Sequence, residues 1–347
     1  MNINVLSKAG ETSFTCEEGE TLLFAGLRQG LTLPYECATG TCGTCRARLA
    51  GGEVEIPWPD APAFAKIKRE KGDILMCQCR PRGDCDLKIP ANVTKSVTDD
   101  ALPAHRKGIV KAPRRLTHDV MHFEIQLSSP MSFKAGQFVV IEAKDVPGRR
   151  AYSMVNYQTG TQTISLVVKR KPGGGFSDWL FEGNIEGEAL EVFGPLGQAT
   201  FQAEEDKDMI CIAGGSGIAG MMSILECATS SNYFDNHKGH VFFGVRSPAD
   251  AFYVEELSRY VAAAKGGLEV TLAFSHQPPA SSSDDAFPGL TLAAGMVHEV
   301  AAKTMAGRYG DMIGYVAGPT PMVDGAIRVL ITEAALARDC IRYDKFA

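Results

Sequence analysis

The sequence predicts a multidomain protein with three successive folds: an α+β β-grasp domain, an antiparallel β-barrel and an α/β domain with a parallel sheet. The first part combines a hairpin-like start, one helical segment and a cluster of cysteines. Strand-like runs separated by turn residues follow, as in barrels. Strands then alternate with helices, which is the pattern of a parallel sheet. The predicted domains are 1–92, 106–203 and 204–347, with a linker at 93–105.

Composition and the amino terminus narrow the classes of function. The chain has 347 residues and a formal net charge of -6, which argues against nucleic acid as the main partner. The first residues, MNINVLSKAGETSF, lack the basic region and apolar run of a signal peptide. No apolar stretch is long enough to cross a bilayer. We therefore expect a cytoplasmic protein with no membrane partner, whose ten cysteines serve metal binding or redox chemistry rather than disulfides.

The first domain carries its cysteine cluster in the segment YECATGTCGTC. The thiols are at Cys37, Cys42 and Cys45, and LMCQC offers a fourth at Cys77 or Cys79. The spacing C-x4-C-x2-C with a distant fourth cysteine is the plant-type spacing for a [2Fe–2S] cluster. Two irons each need two thiolates, and the intervening glycines let a short loop bend around them. Zinc is the rival, but its four-thiol sites usually pair one C-x2-C with another, whereas the second half here is C-x-C.

Residues 1–90 resemble the plant-type ferredoxin domain in these two cysteine segments. The remaining segments fit a β-grasp fold, because MNINVLSKAGETSFTC alternates like a hairpin and ETLLFAGLRQGL has helical apolar spacing with a stop at Gly30. In that family the fourth ligand is the cysteine just before Gln, which implies Cys77. A basic run, KIKREK at 66–71, is either a solvated face or a docking surface.

A polar segment, ANVTKSVTDDALPAHRK, separates the first domain from the second. It shows no clear period, which predicts a linker. Four strand-like runs follow, and their lengths and turn spacing predict an antiparallel barrel. These runs are HDVMHFEIQL, GQFVVIEA, TISLVVKRK and EALEVFGP.

Three motifs occur in order in this second domain: RAYSM at 150–154, GGGFSDWL at 173–180 and GPLG at 194–197. Together they resemble the flavin domain of the ferredoxin–NADP reductase superfamily. The resemblance implies FAD, since reductases with an N-terminal ferredoxin domain usually carry it.

The same resemblance implies roles for individual residues. Arg150 would pair with the flavin pyrophosphate, and Tyr152 would pack on the isoalloxazine or ribityl chain. Ser153, the candidate catalytic residue, would form a hydrogen bond near flavin N5. The helix opening that would present its N–H groups to the pyrophosphate consists of Gly174, Gly175, Phe176 and Ser177.

The third domain begins with DMICIAGGSGIAGMMSILECA, which predicts a buried strand, a glycine turn and a helix. Residues 215–220 match G-x-G-x-x-G, yet the next strand runs into VRSPAD instead of ending in a ribose-binding acid. The wider series AGGSGIA, VRSPAD and AGPTPMV resembles the pyridine-nucleotide domain of the same superfamily. The resemblance implies that Gly214, Gly215 and Gly217 let the backbone approach the coenzyme phosphates.

Four positions bear on the coenzyme and the flavin. A 2′-phosphate favours Arg or Lys and a bare ribose favours an acid, and VRSPAD supplies both Arg246 and Asp250. FSHQPP, after the next strand, has no Arg where NADP-using relatives often place one, which favours NADH. Relatives often have Cys where this chain has Ala317. A terminal aromatic can shield the flavin in relatives, and Phe346 is either that residue or a packing residue.

The three parts in this order resemble the reductase component of bacterial multicomponent oxygenases. The resemblance implies that electrons pass from NADH through FAD and a [2Fe–2S] cluster to a terminal oxygenase or hydroxylase, or to an intermediate ferredoxin, in a system acting on aromatic or hydrocarbon substrates. WPDAPAF at 58–64 resembles a segment of toluene-type diiron monooxygenase reductases, which favours a diiron hydroxylase over a Rieske dioxygenase. The alternatives are a reductase of similar architecture in a biosynthetic pathway such as deoxysugar formation, and a non-enzymatic iron–sulfur redox sensor.

Overall fold

A computed structural model describes residues 1–96, 101–277, 281 and 283–346. Residues 97–100 of the predicted linker lie outside the described residues. The chain divides into two compact units. The first consists of residues 1–108, 139–151 and 189–196, and the second consists of residues 109–138, 152–188 and 197–347.

The amino-terminal part of the first unit is a mixed sheet with one short helix. Its elements are β1 (Asn2–Ser7), β2 (Gly10–Thr15), α1 (Leu22–Arg28), β3 (Arg46–Gly51), β4 (Val54–Glu55), β5 (Asp73–Leu75), β6 (Arg80–Pro81) and β7 (Cys85–Lys88). The strand order is β2-β1-β7-β3-β5, with β1 and β7 parallel, and β4 pairs with β6. The predicted hairpin and helix are confirmed by β1, β2 and α1, and α1 buries every residue from Leu22 to Leu27.

The middle of the chain supplies a curled antiparallel sheet. Its elements are β8 (Ala104–Arg115), β9 (Val120–Met131), β10 (Phe138–Ala143), β11 (Arg150–Ser153), β12 (Thr161–Lys169), α2 (Gly175–Glu182) and β13 (Ala189–Leu196). In the second unit β9 and β12 are antiparallel, with Ile125 opposite Ile164. In the first unit the neighbours are β11-β10-β13. The four predicted runs are strands, and the linker prediction at 93–105 overlaps the first two residues of β8.

The carboxyl-terminal part of the second unit is a six-stranded parallel sheet. Its elements are β14 (Asp208–Gly214), α3 (Ile218–Ser230), β15 (Gly239–Val245), α4 (Val254–Ala263), β16 (Leu268–Phe274), β17 (Thr291–Ala294), α5 (Val297–Met305), β18 (Met312–Pro319), α6 (Thr320–Thr332) and β19 (Ile341–Phe346). The strand order is β17-β16-β15-β14-β18-β19, and every neighbouring pair is parallel.

Burial on both faces explains why β14 is an unbroken apolar run. Cys211 and Ala213 belong to one hydrophobic core, while Ile210 and Ile212 belong to the core on the opposite face. The chain moves outward from β14 through β15, β16 and β17, then returns to β18 on the other side of β14. The carboxyl ends of β14 and β18 therefore flank a topological switch point, where open parallel sheets bind ligands.

None of the described helices is long and apolar enough to cross a membrane.

Candidate functional site

Four cysteine thiols of the first unit form two close pairs. Cys45 Sγ and Cys77 Sγ are 3.3 Å apart, and the backbone N–H of Cys42 donates to Cys37 Sγ at 3.4 Å. Within the described ranges, no three of these sulfur atoms lie within 4.8 Å of one another. One tetrahedral zinc ion, with Zn–S bonds of about 2.3 Å, would hold all four sulfurs within about 4 Å of each other. Two separate pairs suit the two irons of a [2Fe–2S] cluster instead.

The loop around the first pair supplies donors to the sulfur atoms. The backbone N–H groups of Thr39 and Cys42 each donate to Cys37 Sγ at 3.4 Å, and that of Thr44 donates to Cys42 Sγ at 3.4 Å. The hydrogen bond from the Cys42 thiol and these backbone donors lower the pKa of Cys37 to about 4, although burial opposes them. Gly40 has a φ of 87°, and a Cβ there would meet neighbouring side chains at 3.0 Å. The loop thus favours a thiolate at Cys37, while the pKa of its partner Cys42 is raised, and it depends on glycine at this turn.

Cys79, the other candidate for the fourth ligand, differs from Cys77 in its surroundings. Both are fully buried. Burial raises the pKa of Cys79 to about 12, as expected for a thiol packed in a core. Cys77 instead lies against Cys45 and accepts a hydrogen bond from Gln78 Nε2 at 3.6 Å.

Strand β11 presents the residues of RAYSM. Arg150 is half-buried, and its Nη1 donates to the carbonyl oxygen of Arg149 at 2.9 Å. In the second unit, the ring of Tyr152 lies 5.7 Å from that of Phe176 at a tilt of 37°. Ser153 is buried at the end of the strand.

Helix α2 begins directly after the glycines of GGGFSDWL. Gly174 is its N-cap and Gly175 its first residue. The Ser177 hydroxyl donates to the carbonyl oxygens of Lys171 and Gly174 and accepts from the Lys171 N–H at 3.1 Å, so it closes the preceding loop. Phe176 is 1% exposed and anchors the helix in the core. The first N–H groups of such a helix have no intrahelical partner, which suits a phosphate.

The glycine turn of the third domain lies at the switch point. Gly214 ends β14, Gly215–Gly217 form one turn of 3₁₀-helix, and α3 begins at the next residue. A Cβ on Gly217 would lie 2.2 Å from the carbonyl oxygen of Ala317 at the end of β18. A Cβ on Gly220 would be 3.5 Å from Ser153 Cβ. The start of α3 therefore contacts both β18 and the end of β11.

An ion-pair cluster adjoins this turn. Arg246 Nη2 lies 3.1 Å from Asp250 Oδ1 and 3.2 Å from Asp119 Oδ2. Lys169 Nζ lies 2.7 Å from Asp119, and the Lys169 side chain is 4.0 Å from the position of a Cβ on Gly215. Burial alone would raise the pKa of Asp119, but its hydrogen bond with Lys169 lowers it, so the carboxylate stays charged.

Phe346 ends β19 next to the same edge of the sheet. It pairs with Pro319 of β18, and its carbonyl oxygen accepts a hydrogen bond from the Thr320 hydroxyl at 3.2 Å. Its partly buried ring packs against the core that contains Ala213 and Ala317.

Three family profiles match most of the chain. They are the 2Fe-2S iron-sulfur cluster binding domain at 6–82, the oxidoreductase FAD-binding domain at 107–201 and the oxidoreductase NAD-binding domain at 211–328. The ferredoxin–NAD(+) reductase component of the alkene monooxygenase system of Xanthobacter autotrophicus is 34% identical over 345 residues, covering 96% of this chain and 98% of the relative. The chain belongs to the iron–sulfur flavoprotein reductases.

Other members of this reductase family serve different oxygenase systems. The reductase component of phenol 2-monooxygenase from Pseudomonas sp. is 30% identical, covering 98% of this chain and 93% of the relative. The solved ferredoxin reductase in carbazole 1,9a-dioxygenase is 31% identical with a TM-score of 0.83, covering 100% of this chain and 99% of that one. The predicted family, multidomain organisation and enzyme class are confirmed: the chain is an oxidoreductase with 2Fe-2S, FAD and NAD domains.

Sequence reasoning missed one group of contacts in this reductase. In the first unit the ring of Phe24, from α1, stacks on that of Phe193 at 4.0 Å, and the Arg149 guanidinium lies 5.0 Å from the centre of the Phe24 ring. His105 Nε2 lies 3.2 Å from Oε1 of the buried Glu20. The residues are far apart in sequence and carry no motif, so only the fold reveals that the iron–sulfur part is joined to later strands.

Proposed function

We propose that this protein is the reductase component of a multicomponent oxygenase acting on aromatic or hydrocarbon substrates. It carries electrons from NADH through FAD and a [2Fe–2S] cluster to a terminal oxygenase or hydroxylase, or to an intermediate ferredoxin. The observation that carries the proposal is the presence of two thiol pairs and a glycine turn at a parallel-sheet switch point in one chain. Full-length similarity to reductases of alkene and phenol monooxygenases supports the class of electron acceptor.

The proposal includes the domain limits and the finer folds. A β-grasp ferredoxin domain spans 1–92, a linker 93–105, an FAD-binding β-barrel 106–203 and an NAD-binding α/β domain 204–347. The mixed sheet, the antiparallel strands and the parallel sheet support these assignments in turn.

The proposed metal ligands follow from the thiol pairs. Cys37 and Cys42 would hold one iron, and Cys45 and Cys77 the other, because the Cys42 N–H already donates to Cys37 Sγ and the second pair of sulfurs is already in contact. The backbone donors to the first pair would offset the negative charge of a bound cluster.

The remaining residues bind and position the organic cofactors. Bound FAD supplies the conversion of a two-electron donation by NADH into single-electron transfers to the cluster. Arg150 and the amino terminus of α2 offer positive charge to its pyrophosphate. Tyr152 offers a ring face, and Phe346 lies at the sheet edge where a ring could be shielded. Buried Ser153 holds its hydroxyl against the start of α3, where it excludes water and can hydrogen-bond to the flavin.

NADH is the proposed coenzyme because of how Arg246 is held. Its guanidinium is paired with both Asp119 and Asp250, so its charge is already compensated and is not free to hold a 2′-phosphate. A bare ribose needs no cation, and its hydroxyl can donate to a carboxylate.

An anaerobic NADH titration of the purified holoprotein, followed by visible absorption, tests the proposal. We expect bleaching of both the flavin and the iron–sulfur bands at low NADH. Bleaching of the flavin bands alone would contradict the electron path to the cluster, and bleaching only by NADPH would contradict the coenzyme. Absence of any response would favour a redox sensor.

A further inference from the structure

A shallow groove opens at the surface beside the cysteine loop of the first unit. The residues that matter among those lining it are Cys42, Gly43, Thr44, Arg46, Lys66 and Ile67. Cys37 and Cys42 are both half-buried, whereas Cys45 and Cys77 of the other thiol pair are 2% and 0% exposed. The groove, which Cys42 lines, therefore lies beside the more exposed of the two pairs.

The charge around this groove is positive. Among its described lining residues, the charged ones are Arg46 and Lys66. The segment that continues from Lys66, KIKREK, adds three more cations and one acid. The nearest acid, Asp73, is 5% exposed and pairs with Arg48, whose Nη2 lies 2.9 Å from Asp73 Oδ1. Arg46 Nη1 is 3.9 Å from Asp73 Oδ2, so most of the charge of Arg46 stays uncompensated.

The Lys66 ammonium group is fixed on the cysteine loop. Its Nζ donates to the carbonyl oxygen of Thr41 at 3.0 Å. The Ala63 N–H, in the same short turn, donates to the Gly40 carbonyl at 2.9 Å. A lysine on a solvated helix face would extend into water. Here the hydrogen bond to Thr41 holds the ammonium group of Lys66 beside Cys42.

We propose that this groove is the docking surface for the electron-accepting protein, and that the acceptor presents carboxylates to Arg46 and Lys66. The inference rests on the proposed function and adds the chemistry of the partner to it. An acceptor must approach the more exposed pair of ligand thiols, and Cys42 of that pair lines the groove. A fixed positive rim at that place speeds the encounter with an acidic protein and slows that with a basic one.

Two haem proteins of similar size and opposite charge can test this on the NADH-driven holoprotein. Cytochrome b5 is acidic and cytochrome c is basic, and ferricyanide serves as a small acceptor measured alongside them. The variants are Lys66→Gln, which keeps a donor for the Thr41 carbonyl, Lys66→Glu and Arg46→Gln. Lys303→Glu, on α5, makes the same charge change on an exposed residue in another domain and is the matched control. The visible spectrum of each variant reports its cluster content.

The expected results concern kcat/KM at low salt. The kcat/KM for cytochrome b5, divided by that for ferricyanide, falls about threefold in Lys66→Gln and Arg46→Gln and about tenfold in Lys66→Glu. The kcat/KM for cytochrome c rises in Lys66→Glu. Salt of about 0.2 M removes most of these differences because the charges are exposed. Lys303→Glu stays within about twofold of the parent.

Three outcomes would overturn the inference. If the Lys66 and Arg46 variants reduce cytochrome b5 as fast as the parent does, while ferricyanide reduction is intact, the docking surface is contradicted and the proposed function is not. An equal effect of Lys303→Glu would show that overall charge, and not the groove, controls the encounter. Undiminished cytochrome b5 reduction in a Cys77→Ser variant would show that electrons leave elsewhere. Loss of ferricyanide reduction in the parent protein would instead contradict the proposed function.

Discussion

Replacing Gly217 by alanine should strongly destabilise the carboxyl-terminal domain. The added Cβ would lie 2.2 Å from the carbonyl oxygen of Ala317, 2.5 Å from its carbon and 2.9 Å from the nitrogen of Gly318. All three are backbone atoms, so relief requires moving the start of α3 away from β18. The φ of Gly217 is -61°, which alanine adopts readily, so the clash is the whole effect. Overpacking a rigid interior costs about 1–3 kcal/mol, and contacts this short place the cost at about 3 kcal/mol.

Gly220→Ala is the matched control, three residues further along the chain. This glycine is also buried, but its Cβ would lie 3.5 Å from Ser153 Cβ and 3.7 Å from the Gly136 carbonyl oxygen, which are ordinary contacts. Alanine is favoured over glycine within a helix by about 0.5–1 kcal/mol. This variant should therefore stabilise the domain.

Thermal unfolding of the holoprotein measures both effects. At about 2–4 °C per kcal/mol for a domain of this size, Gly217→Ala lowers Tm by about 6–12 °C, and Gly220→Ala raises it by about 1–4 °C. Shifts of the same sign and size in the two variants would refute the reasoning, because backbone contact at Gly217 would then not distinguish them.

Three further predictions follow from single contacts. Cys77→Ser should abolish the iron–sulfur absorption and Cys79→Ser should retain it; the reverse would reassign the fourth ligand. Asp119→Asn should remove one of the two carboxylates that pair with Arg246 and raise kcat/KM for NADPH about tenfold. Steady-state kinetics with NADH give the comparison, and an unchanged preference between the two coenzymes would contradict the coenzyme argument. Burial holds the pKa of His122 at about 4, below the 6.5 of the unfolded chain, so the unfolded state binds the proton first. Stability should fall by up to about 3 kcal/mol as the pH drops from 6.5 to 4, and His122→Gln should flatten that part of the denaturation profile.

Local sequence patterns predicted the strands and helices that bury their own apolar side chains. DMICIAG is a strand because both of its faces are covered, and the helical spacing of ETLLFAGLRQGL matches α1. Strand β8 was not predicted, since AHRKGIVKAPRR is basic and buries only Gly108 and Val110. Its extended form depends on neighbours that a local pattern does not contain.

The candidate site also contains residues that a local pattern predicts and contacts that it does not. Cysteine spacing identified the three thiols of the loop and left the fourth open between Cys77 and Cys79. The family resemblance implied Cys77, which lies against Cys45 in the structure. Arg246 differs, because its partner Asp119 is 127 residues away. A guanidinium alone suggests phosphate binding, and only the three-dimensional contacts show it already neutralised.

The stacking of Phe24 on Phe193 has a consequence for building chimeric reductases. An iron–sulfur module excised at the linker and grafted elsewhere would carry an uncovered aromatic ring and an acid, Glu20, deprived of His105. The flavin domain left behind would lose the Phe24 ring that stacks on Phe193. Exchange of modules between such enzymes therefore requires transplanting both halves of this contact. The transferred segment must include the contacting side chains of β13, and a cut in the connecting peptide alone is not enough.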